Sequence, residues 1–319
     1  MNKKAYMKIE NQNNYSSAIF LLLIAIVSIQ FSGSLAKILF QTHDVLIVAT
    51  MRLGISATIL AIVGRLWTIN WNNIQWKTII TYGIALSGMN ALFYMSLKYL
   101  PLGIAVSFEF IGPLAVALFH AKQKFDFIWV GLTILGMCLL FPFNKGQLSF
   151  DVVGIAYALG AGACWACYIL SGQKDAGISG IHTACLGMLI GTLVVLPFAL
   201  NSGNLTHVFE LKSLGYFFLL AVLGSALPYA LEIIVLKRIP PLIFGTLTSL
   251  EPAVAAISGF IFLHESLLIS QWFALSTIII ASIGCTYSTH FAKLNLERKM
   301  RKKQKQLEQQ FKKDKKKGS

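Results

Sequence analysis

The sequence predicts an all-α polytopic membrane protein with ten transmembrane helices, arranged as two inverted five-helix repeats. Three observations lead to this fold class: an extreme apolar composition, ten apolar segments of bilayer length, and weak similarity between the two halves of the chain. Of the 319 residues, 56% are hydrophobic and only 13% are charged. Soluble domains carry about 25% charged residues. A water-soluble fold would therefore expose a large apolar surface, which a bilayer solvates instead.

Each apolar segment approaches the roughly 20 residues that cross about 30 Å of hydrocarbon. The segments span residues 17–39, 45–64, 78–97, 102–120 and 127–143, followed by 153–172, 183–200, 214–236, 242–263 and 270–288. The first is preceded by lysines, but it is too long for a signal peptide, so we predict that it is not cleaved. The predicted domains are an N-terminal segment at 1–16, five-helix repeats at 17–148 and 149–290, and a basic tail at 291–319.

Basic residues in the loops predict the orientation, because cytoplasmic loops are enriched in Lys and Arg. With a cytoplasmic N-terminus, the loops on the inside hold ten basic residues and those on the outside hold four. Residues 289–319 add twelve more basic residues to the inside, against three acidic ones. We therefore expect both termini in the cytoplasm of a bacterial-type inner membrane. The tail favours contact with anionic lipid, and it lacks any motif of a nucleic-acid binder.

The two halves of the chain are similar at an ungapped offset of 139 residues. Eight identities support this alignment, pairing Ala91, Leu92, Leu97, Lys98, Pro101, Ile104, Pro113 and Ala117 with Ala230, Leu231, Leu236, Lys237, Pro240, Ile243, Pro252 and Ala256. Because each half holds an odd number of spans, the second half must insert upside-down relative to the first. Inverted repeats of this kind are typical of alternating-access carriers.

Glu109 is the first ionisable residue that needs an explanation. It lies near the middle of the fourth span, where a charge costs about 2.5–3.5 kcal/mol even on the mildest scale. Pro113, four residues later, lacks the amide that would bond the Glu109 carbonyl. A carboxyl group and a free carbonyl in one turn favour binding of a substrate ammonium or a proton. The alternative is a protonated glutamate that bonds a neighbouring helix.

Further polar residues lie in other predicted spans. Glu251 precedes Pro252 in the ninth span, and Arg52 lies about 10 Å into the second span, where a long arginine can also snorkel to the interface. Glu232 follows Pro228 in the eighth span, and pairing with Lys237 and Arg238 is the favoured interpretation there. Six more side chains offer donors, acceptors or ring faces to a cavity, although each can instead serve helix packing: Gln30, Asn90, Tyr94, Trp165, Tyr168 and Tyr229.

Motifs of enzymes and cofactor sites are missing. His264-Glu265 begins like a metalloprotease motif, but Leu268 stands where the second histidine is needed. No P-loop occurs, which argues against ATP-driven transport by this chain alone. Cys164 and Cys167 have metal-site spacing without a second pair or a histidine cluster. We therefore predict no enzymatic activity, no cofactor and no metal.

Longer runs of sequence resemble a known family. Residues 101–119, with Glu109 and Pro113, resemble the fourth span of exporters of the EamA family in the drug/metabolite transporter superfamily, in particular those for threonine and homoserine. The similarity extends over about residues 17–290. Further matching runs are Ser28–Gln30 with Ser34–Lys37, Leu159–Ala166, Tyr168–Gln173, Ala226–Tyr229 with Leu231–Glu232, Phe244–Leu247 and Glu251–Ala253.

The resemblance implies a secondary transporter that exports small amino acids by alternating access through a central cavity. It also implies energy from the membrane gradient, for which protons are the expected coupling ion. Glu109 would bind the ammonium or the coupled proton, and Arg52 or the tyrosine and asparagine groups would bind the carboxylate. Alternatives are the same carrier with another cargo, such as a purine, aromatic metabolite or drug, and a non-transporting sensor or enzyme. A homodimer is left open.

Overall fold

The computed structural model describes residues 3–100, 102–121, 124–140, 151–202, 208–262, 269–270, 272–281, 283–284 and 287–288. Every long element in these ranges is a helix. In chain order they are α1 (Lys3–Leu39), α2 (Val45–Val63), α3 (Trp76–Ser96), α4 (Leu102–Glu109), α5 (Ile111–His120), α6 (Lys124–Leu140), α7 (Val152–Gly172), α8 (Gly180–Ser202), α9 (Leu211–Ala221), α10 (Leu227–Leu236), α11 (Pro241–Leu247) and α12 (Leu250–Phe262). A further apolar helix, α13, covers Trp272–Ala281. The basic tail lies outside the described residues.

Within the described ranges, six helical segments are long and apolar enough to cross a membrane. They are Ser16–Leu39, Val45–Val63, Trp76–Ser96, Val152–Gly172, Gly180–Asn201 and Leu211–Leu236. Large apolar side chains on their outer faces are exposed, among them Phe20, Val63, Ile84, Leu193 and Phe218. Apolar surface of this extent needs lipid around it. The chain is therefore an all-α, multi-pass membrane protein.

Two predicted spans are each made of two short helices. In the fourth span, α4 ends at Glu109 and α5 begins at Ile111. In the ninth, α11 ends at Leu247 and α12 begins at Leu250. Pro113 and Pro252 follow these two interruptions, each removing one main-chain donor from the helix.

The eighth predicted span is continuous but contains one wider helical turn. A π-helical turn, Val222–Ala226, joins α9 to α10 just before Pro228. Serines from two other helices bond carbonyls at this turn: Ser28 Oγ donates to Leu223 O at 2.6 Å, and Ser56 Oγ donates to Ala221 O at 2.9 Å. The turn is thus tied to α1 and α2, which lie beside the cavity described below.

Helices from the two halves of the chain pack against each other. α3 lies against α7 and α8, α2 against α8 and α9, and α1 against α10 and α12. α4 packs on α7 and α12, and α5 packs on α7 and α11. The contact of α5 with α7 is main chain to main chain, because a Cβ built on Gly112 would collide with the carbonyl of Gly162. Only glycine permits so close an approach.

Candidate functional site

A cavity lies between the two halves of the chain, enclosed by side chains from seven helices. Its atom-free space, including the part open at its mouth, is about 580 Å³. The lining residues are Ile29, Gln30, Ser32, Gly33, Arg52, Met89, Asn90, Phe93, Tyr94, Leu102, Val106, Glu109, Trp165, Tyr229, Glu232 and Glu251. Nine of the ten residues predicted from the sequence to bind substrate or couple transport are in this set. The tenth, Tyr168, lies behind the wall and contacts Glu232.

Arg52 supplies the positive charge of the cavity. Its side chain is buried, with 5% of its surface exposed, so it does not snorkel to the membrane surface as the alternative interpretation required. Arg52 Nη1 donates to Tyr94 Oη at 2.6 Å, and its guanidinium carbon lies 4.7 Å from the centroid of the Tyr94 ring. Arg52 Nε has no hydrogen-bond partner within the described part of the chain. One donor of a buried guanidinium is therefore available to a ligand.

Glu109 faces Arg52 across the cavity from the interruption between α4 and α5. The carboxyl group is buried, and its charge interacts with that of Arg52. Neither residue forms a direct ion pair with a described residue. The main chain of Glu109 lies against α7, since a Cβ built on Gly162 would meet the Glu109 carbonyl. The position of the carboxyl group is thus set by close contact between main chains.

Glu251 enters the cavity from the first turn of α12. Gln30 Nε2, on α1, donates to Glu251 Oε2 at 3.2 Å. The second carboxyl oxygen, Oε1, is buried and has no partner among the residues that the structure describes. Nearby, Ser258 Oγ donates to the Gln30 carbonyl at 3.4 Å and lies 3.1 Å from Ser34 Oγ. These contacts join α1 to α12 along one wall.

Glu232 corrects one of our predictions. Its side chain is 1% exposed, and Tyr168 Oη donates to Glu232 Oε2 at 2.9 Å. The predicted pairing with Lys237 and Arg238 is wrong, since Lys237 Nζ instead donates to the carbonyl of Ile178 at 3.4 Å. Residues three or four apart share a helix face, whereas residues five or six apart point in different directions. Glu232 therefore belongs to the cavity wall.

Asn90 and Tyr229 meet in the cavity wall. Tyr229 Oη donates to Asn90 Oδ1 at 3.0 Å, and Asn90 Nδ2 donates to Leu86 O at 2.7 Å. The two residues are 139 positions apart, which is the offset that aligns the halves of the sequence. Behind them, the ring of Tyr168 lies 5.9 Å from that of Tyr229, centroid to centroid.

Several lining residues were not predicted from the sequence. Met89, Phe93, Leu102 and Val106 line the cavity, but their side chains resemble those that face lipid elsewhere in the chain. Ser32 also lines it, and its hydroxyl donates locally to Ile29 O at 2.7 Å. Only their place on the cavity-facing side of α1, α3 and α4, next to the predicted polar residues, would have indicated them.

A cavity with buried charged side chains inside a bundle of lipid-exposed helices is typical of membrane transporters. Comparison with known sequences agrees with this class. Residues 152–287 match the EamA-like transporter family. The chain is 46% identical over 269 residues to the threonine/homoserine exporter RhtA of Escherichia coli K12, covering 84% of this chain and 90% of that protein. The protein belongs to the EamA-like transporter family.

Other relatives are similar over most of the chain. RhtA of Salmonella typhimurium LT2 is also 46% identical over 84% of this chain and 90% of that protein. The transporter YwfM of Bacillus subtilis is 24% identical, covering 72% of this chain and 79% of that protein. A protein of known crystal structure, 15% identical, superposes with a TM-score of 0.71 over 87% of this chain and 99% of its own. This last similarity concerns the fold alone.

Proposed function

We propose that the protein exports small amino acids such as threonine and homoserine from the cytoplasm across the inner membrane. The observation that carries this proposal is a cavity that presents a buried guanidinium and carboxyl groups together. A zwitterionic amino acid needs both, because its carboxylate takes N–H donors and its ammonium takes acceptors. The 46%-identical relative is a threonine/homoserine exporter, which supports the same cargo.

Arg52 and Glu109 are the groups we assign to the zwitterion. Arg52 Nε is an unpartnered donor among the described residues, and Tyr94 fixes the guanidinium from its other side. Charge-assisted hydrogen bonds to carboxylates are about twice as strong as neutral ones. Glu109, whose charge interacts with that of Arg52, is suited to bind the ammonium. The two ends of one amino acid would then bridge the cavity.

The charges of the cavity support coupling to protons. Its described lining holds three carboxyl groups, from Glu109, Glu232 and Glu251, and one guanidinium. If all of them were ionised, two negative charges would be buried without a counter-charge, which is costly inside a membrane. A bound zwitterion has no net charge and does not remove this excess, whereas protons on the carboxyl groups do. This balance supports the proposal that the proton gradient drives export.

Reciprocal packing supports ten helices in two inverted repeats. In such a molecule α1 corresponds to α7, and α2 corresponds to α8. The counterpart of α3 is α9 together with α10. In the two interrupted spans, α4 corresponds to α11 and α5 to α12. The contact of α3 with α7 has its counterpart between α10 and α1, and that of α3 with α8 has its counterpart between α9 and α2. The contact of α5 with α11 has its counterpart in the contact of α12 with α4. Inverted repeats with a site between them are a common basis of alternating access.

The distribution of basic residues supports a topology with both termini in the cytoplasm. With both termini in the cytoplasm, residues 17–148 and 149–290 form the two repeats, and the basic residues of 289–319 lie at the inner surface. A basic segment at that surface attracts anionic lipid.

Counterflow of radiolabelled threonine or homoserine in reconstituted vesicles tests the cargo, and Glu109→Gln tests the site. We expect vesicles that contain the wild-type protein and are loaded with unlabelled substrate to accumulate labelled substrate from the outside. Glu109→Gln should lose at least about tenfold in rate, because a hydrogen bond to a charged group contributes about 1.5–3 kcal/mol. Glu210→Gln, at an exposed position before α9, is the matched control and should keep wild-type rates.

Two outcomes would contradict these assignments separately. Undiminished counterflow by Glu109→Gln, at equal protein density in the vesicles, would exclude Glu109 as a binding or coupling residue. Failure of the wild-type protein to exchange either amino acid would exclude the cargo, although not the family.

A second cargo class is favoured by the rings that line the cavity. Phe93, Tyr94 and Trp165 present aromatic surface there, which can stack on a purine, an aromatic metabolite or a planar drug. Competition by such compounds against labelled threonine separates the two classes. A purine or aromatic amino acid that exchanges when threonine does not would establish this alternative.

A further inference from the structure

Glu251 is a cavity residue that the proposed binding of the ammonium and carboxylate leaves unused. Among the described lining residues, Glu251 Oε1 is a buried acceptor without a partner. The corresponding acceptors nearby are occupied: Glu232 Oε2 accepts from Tyr168, and Asn90 Oδ1 accepts from Tyr229. A buried polar atom normally has a hydrogen-bond partner, and one without a partner in a cavity indicates a ligand group.

The Glu251 carboxyl group is oriented by Gln30, whose main chain is in turn bonded to α12. Gln30 Nε2 donates to Oε2 at 3.2 Å, so the free oxygen is the other one. Ser258, two turns further along α12, donates to the main-chain carbonyl of Gln30 at 3.4 Å, which keeps Gln30 and Glu251 in register. The free oxygen is therefore presented by a fixed carboxyl group rather than by a mobile one.

We infer that Glu251, oriented by Gln30, binds the side-chain hydroxyl of the transported amino acid and so selects hydroxylated substrates over aliphatic ones of equal size. This inference rests on the amino-acid export proposed above. It assigns a separate subsite to the substrate side chain, distinct from the groups that bind the ammonium and the carboxylate.

Chemistry favours a hydroxyl over the other groups that a small amino acid can offer. A hydroxyl both donates and accepts, so it pairs with a carboxyl group whether or not that group carries a proton, while an ammonium only donates. A transporter coupled to protons exposes its cavity carboxyls in both forms, and Glu251 interacts electrostatically with Glu109 and Glu232. An aliphatic side chain would leave Oε1 unpaired, and sites built to bond a hydroxyl reject analogues that lack it.

One compound serves as the reference for both expected substrates. Removal of the side-chain hydroxyl from threonine or from homoserine gives the same molecule, 2-aminobutyrate. The experiment measures counterflow of labelled threonine in vesicles of purified protein and its inhibition by unlabelled homoserine and by 2-aminobutyrate. For the wild-type protein we expect homoserine to inhibit at a concentration at least about tenfold lower than 2-aminobutyrate.

Glu251→Met removes both carboxyl oxygens and approximately keeps the side-chain volume. We expect this preference to fall to less than about threefold, because homoserine loses the partner of its hydroxyl while 2-aminobutyrate has no hydroxyl to lose one. Gln30→Met should also reduce the preference. It removes the hydrogen bond to Glu251 Oε2, so the carboxyl group is no longer held in one orientation. Glu232→Gln is the matched control: its acceptor is already bonded by Tyr168, so the preference ratio should stay unchanged whatever the rate.

The outcomes distinguish this inference from the function on which it rests. A wild-type protein that exchanges threonine and 2-aminobutyrate equally well overturns the hydroxyl subsite and leaves amino-acid export intact, without any variant. A preference that Glu251→Met and Gln30→Met both leave unchanged overturns the assignment to Glu251. A wild-type protein that exchanges no amino acid overturns the proposed function itself. Preferential exchange of a diamino acid would assign Glu251 to a second ammonium and contradict the inference.

Discussion

At the scale of single residues, the cavity is organised around one buried cation. Arg52 bonds Tyr94 Oη at 2.6 Å and lies over the face of the same ring at 4.7 Å. A guanidinium can use its planar fork and its flat face at once, which an ammonium cannot do. Tyr94 therefore holds the orientation of Arg52 and leaves the Nε donor toward the cavity.

Removal of the Tyr94 hydroxyl should weaken substrate binding without stopping transport. In Tyr94→Phe the ring remains under the guanidinium while the hydrogen bond is lost, so the KM for threonine should rise about five- to tenfold, the equivalent of about 1–1.5 kcal/mol. Initial rates of counterflow at varied substrate concentration measure this change. Tyr99→Phe, at an exposed tyrosine beside Tyr157, should leave KM unchanged. An unaltered KM in Tyr94→Phe would show that Tyr94 does not orient Arg52.

Polar residues in apolar spans were the part of the site that could be predicted from the sequence. Because charges and amides are costly in lipid, Arg52, Glu109 and Glu251 were indicated without any coordinates. The hydrogen bonds that these residues form were not predicted, because their partners are distant in sequence. Gln30 and Glu251, for example, are 221 positions apart. The role of Glu232 was misjudged because proximity along a helix was given more weight than the direction in which its side chain points.

At the scale of helices, the interruption between α4 and α5 is held by α7. Gly112 and Gly162 bring two main chains into contact beside Glu109. In a membrane, where lipid is as apolar as the helices, such close packing is a main source of helix association. The position of the Glu109 carboxyl thus depends on two residues that have no side chains.

Gly112→Ala should destabilise the protein and impair transport together. Its Cβ would collide with the Gly162 carbonyl, and overpacking of this kind costs about 1–3 kcal/mol. For a protein of this size we expect a melting temperature in detergent lower by at least about 3 °C.

Gly131→Ala in α6 is the control for that variant. A Cβ at Gly131 meets nothing within 4 Å, so its melting temperature and transport rate should match the wild type. A Gly112→Ala protein that melts at the wild-type temperature would show that α5 and α7 separate easily.

Helix positions were easier to predict than helix irregularities. The apolar runs predicted where helices occur, and the prolines drew attention to the fourth, eighth and ninth spans. The π-helical turn Val222–Ala226 was not predicted, because the hydroxyls that bond its carbonyls belong to Ser28 and Ser56 on other helices. Local sequence carries no signal for a contact made across the bundle.

At the scale of the whole molecule, the two halves are related in their packing but not identical. The contact of α5 with α7 has its counterpart between α12 and α1. That of α4 with α7 has no counterpart of similar extent between α11 and α1, two helices whose main chains the structure describes throughout. The alternating-access mechanism proposed above predicts such a difference, because its second state would be reached when the halves exchange their arrangements.

A covalent link between α1 and α12 should therefore stop transport. Ser34 Oγ and Ser258 Oγ lie 3.1 Å apart, so cysteines at these two positions can be oxidised to a disulfide. In a background without the native cysteines, we expect Ser34→Cys/Ser258→Cys to lose more than about tenfold of its counterflow on oxidation, since conformational exchange is then blocked.

Reduction of this disulfide should restore the rate, and each single cysteine variant should be insensitive to the oxidant. Full cross-linking with undiminished counterflow would show that α1 and α12 move as one body during transport.

The hydrogen bond between Tyr229 and Asn90 has a consequence for such an exchange. Its two residues are 139 positions apart, so each occupies in its own half the place that the other occupies in the second half. In the inverted-repeat carrier proposed above, an exchange of conformations between the halves would carry a contact between equivalent places onto itself. The bond between Tyr229 and Asn90 would then persist in both states, and cargo would pass beside the same tyrosine and amide whichever side is open.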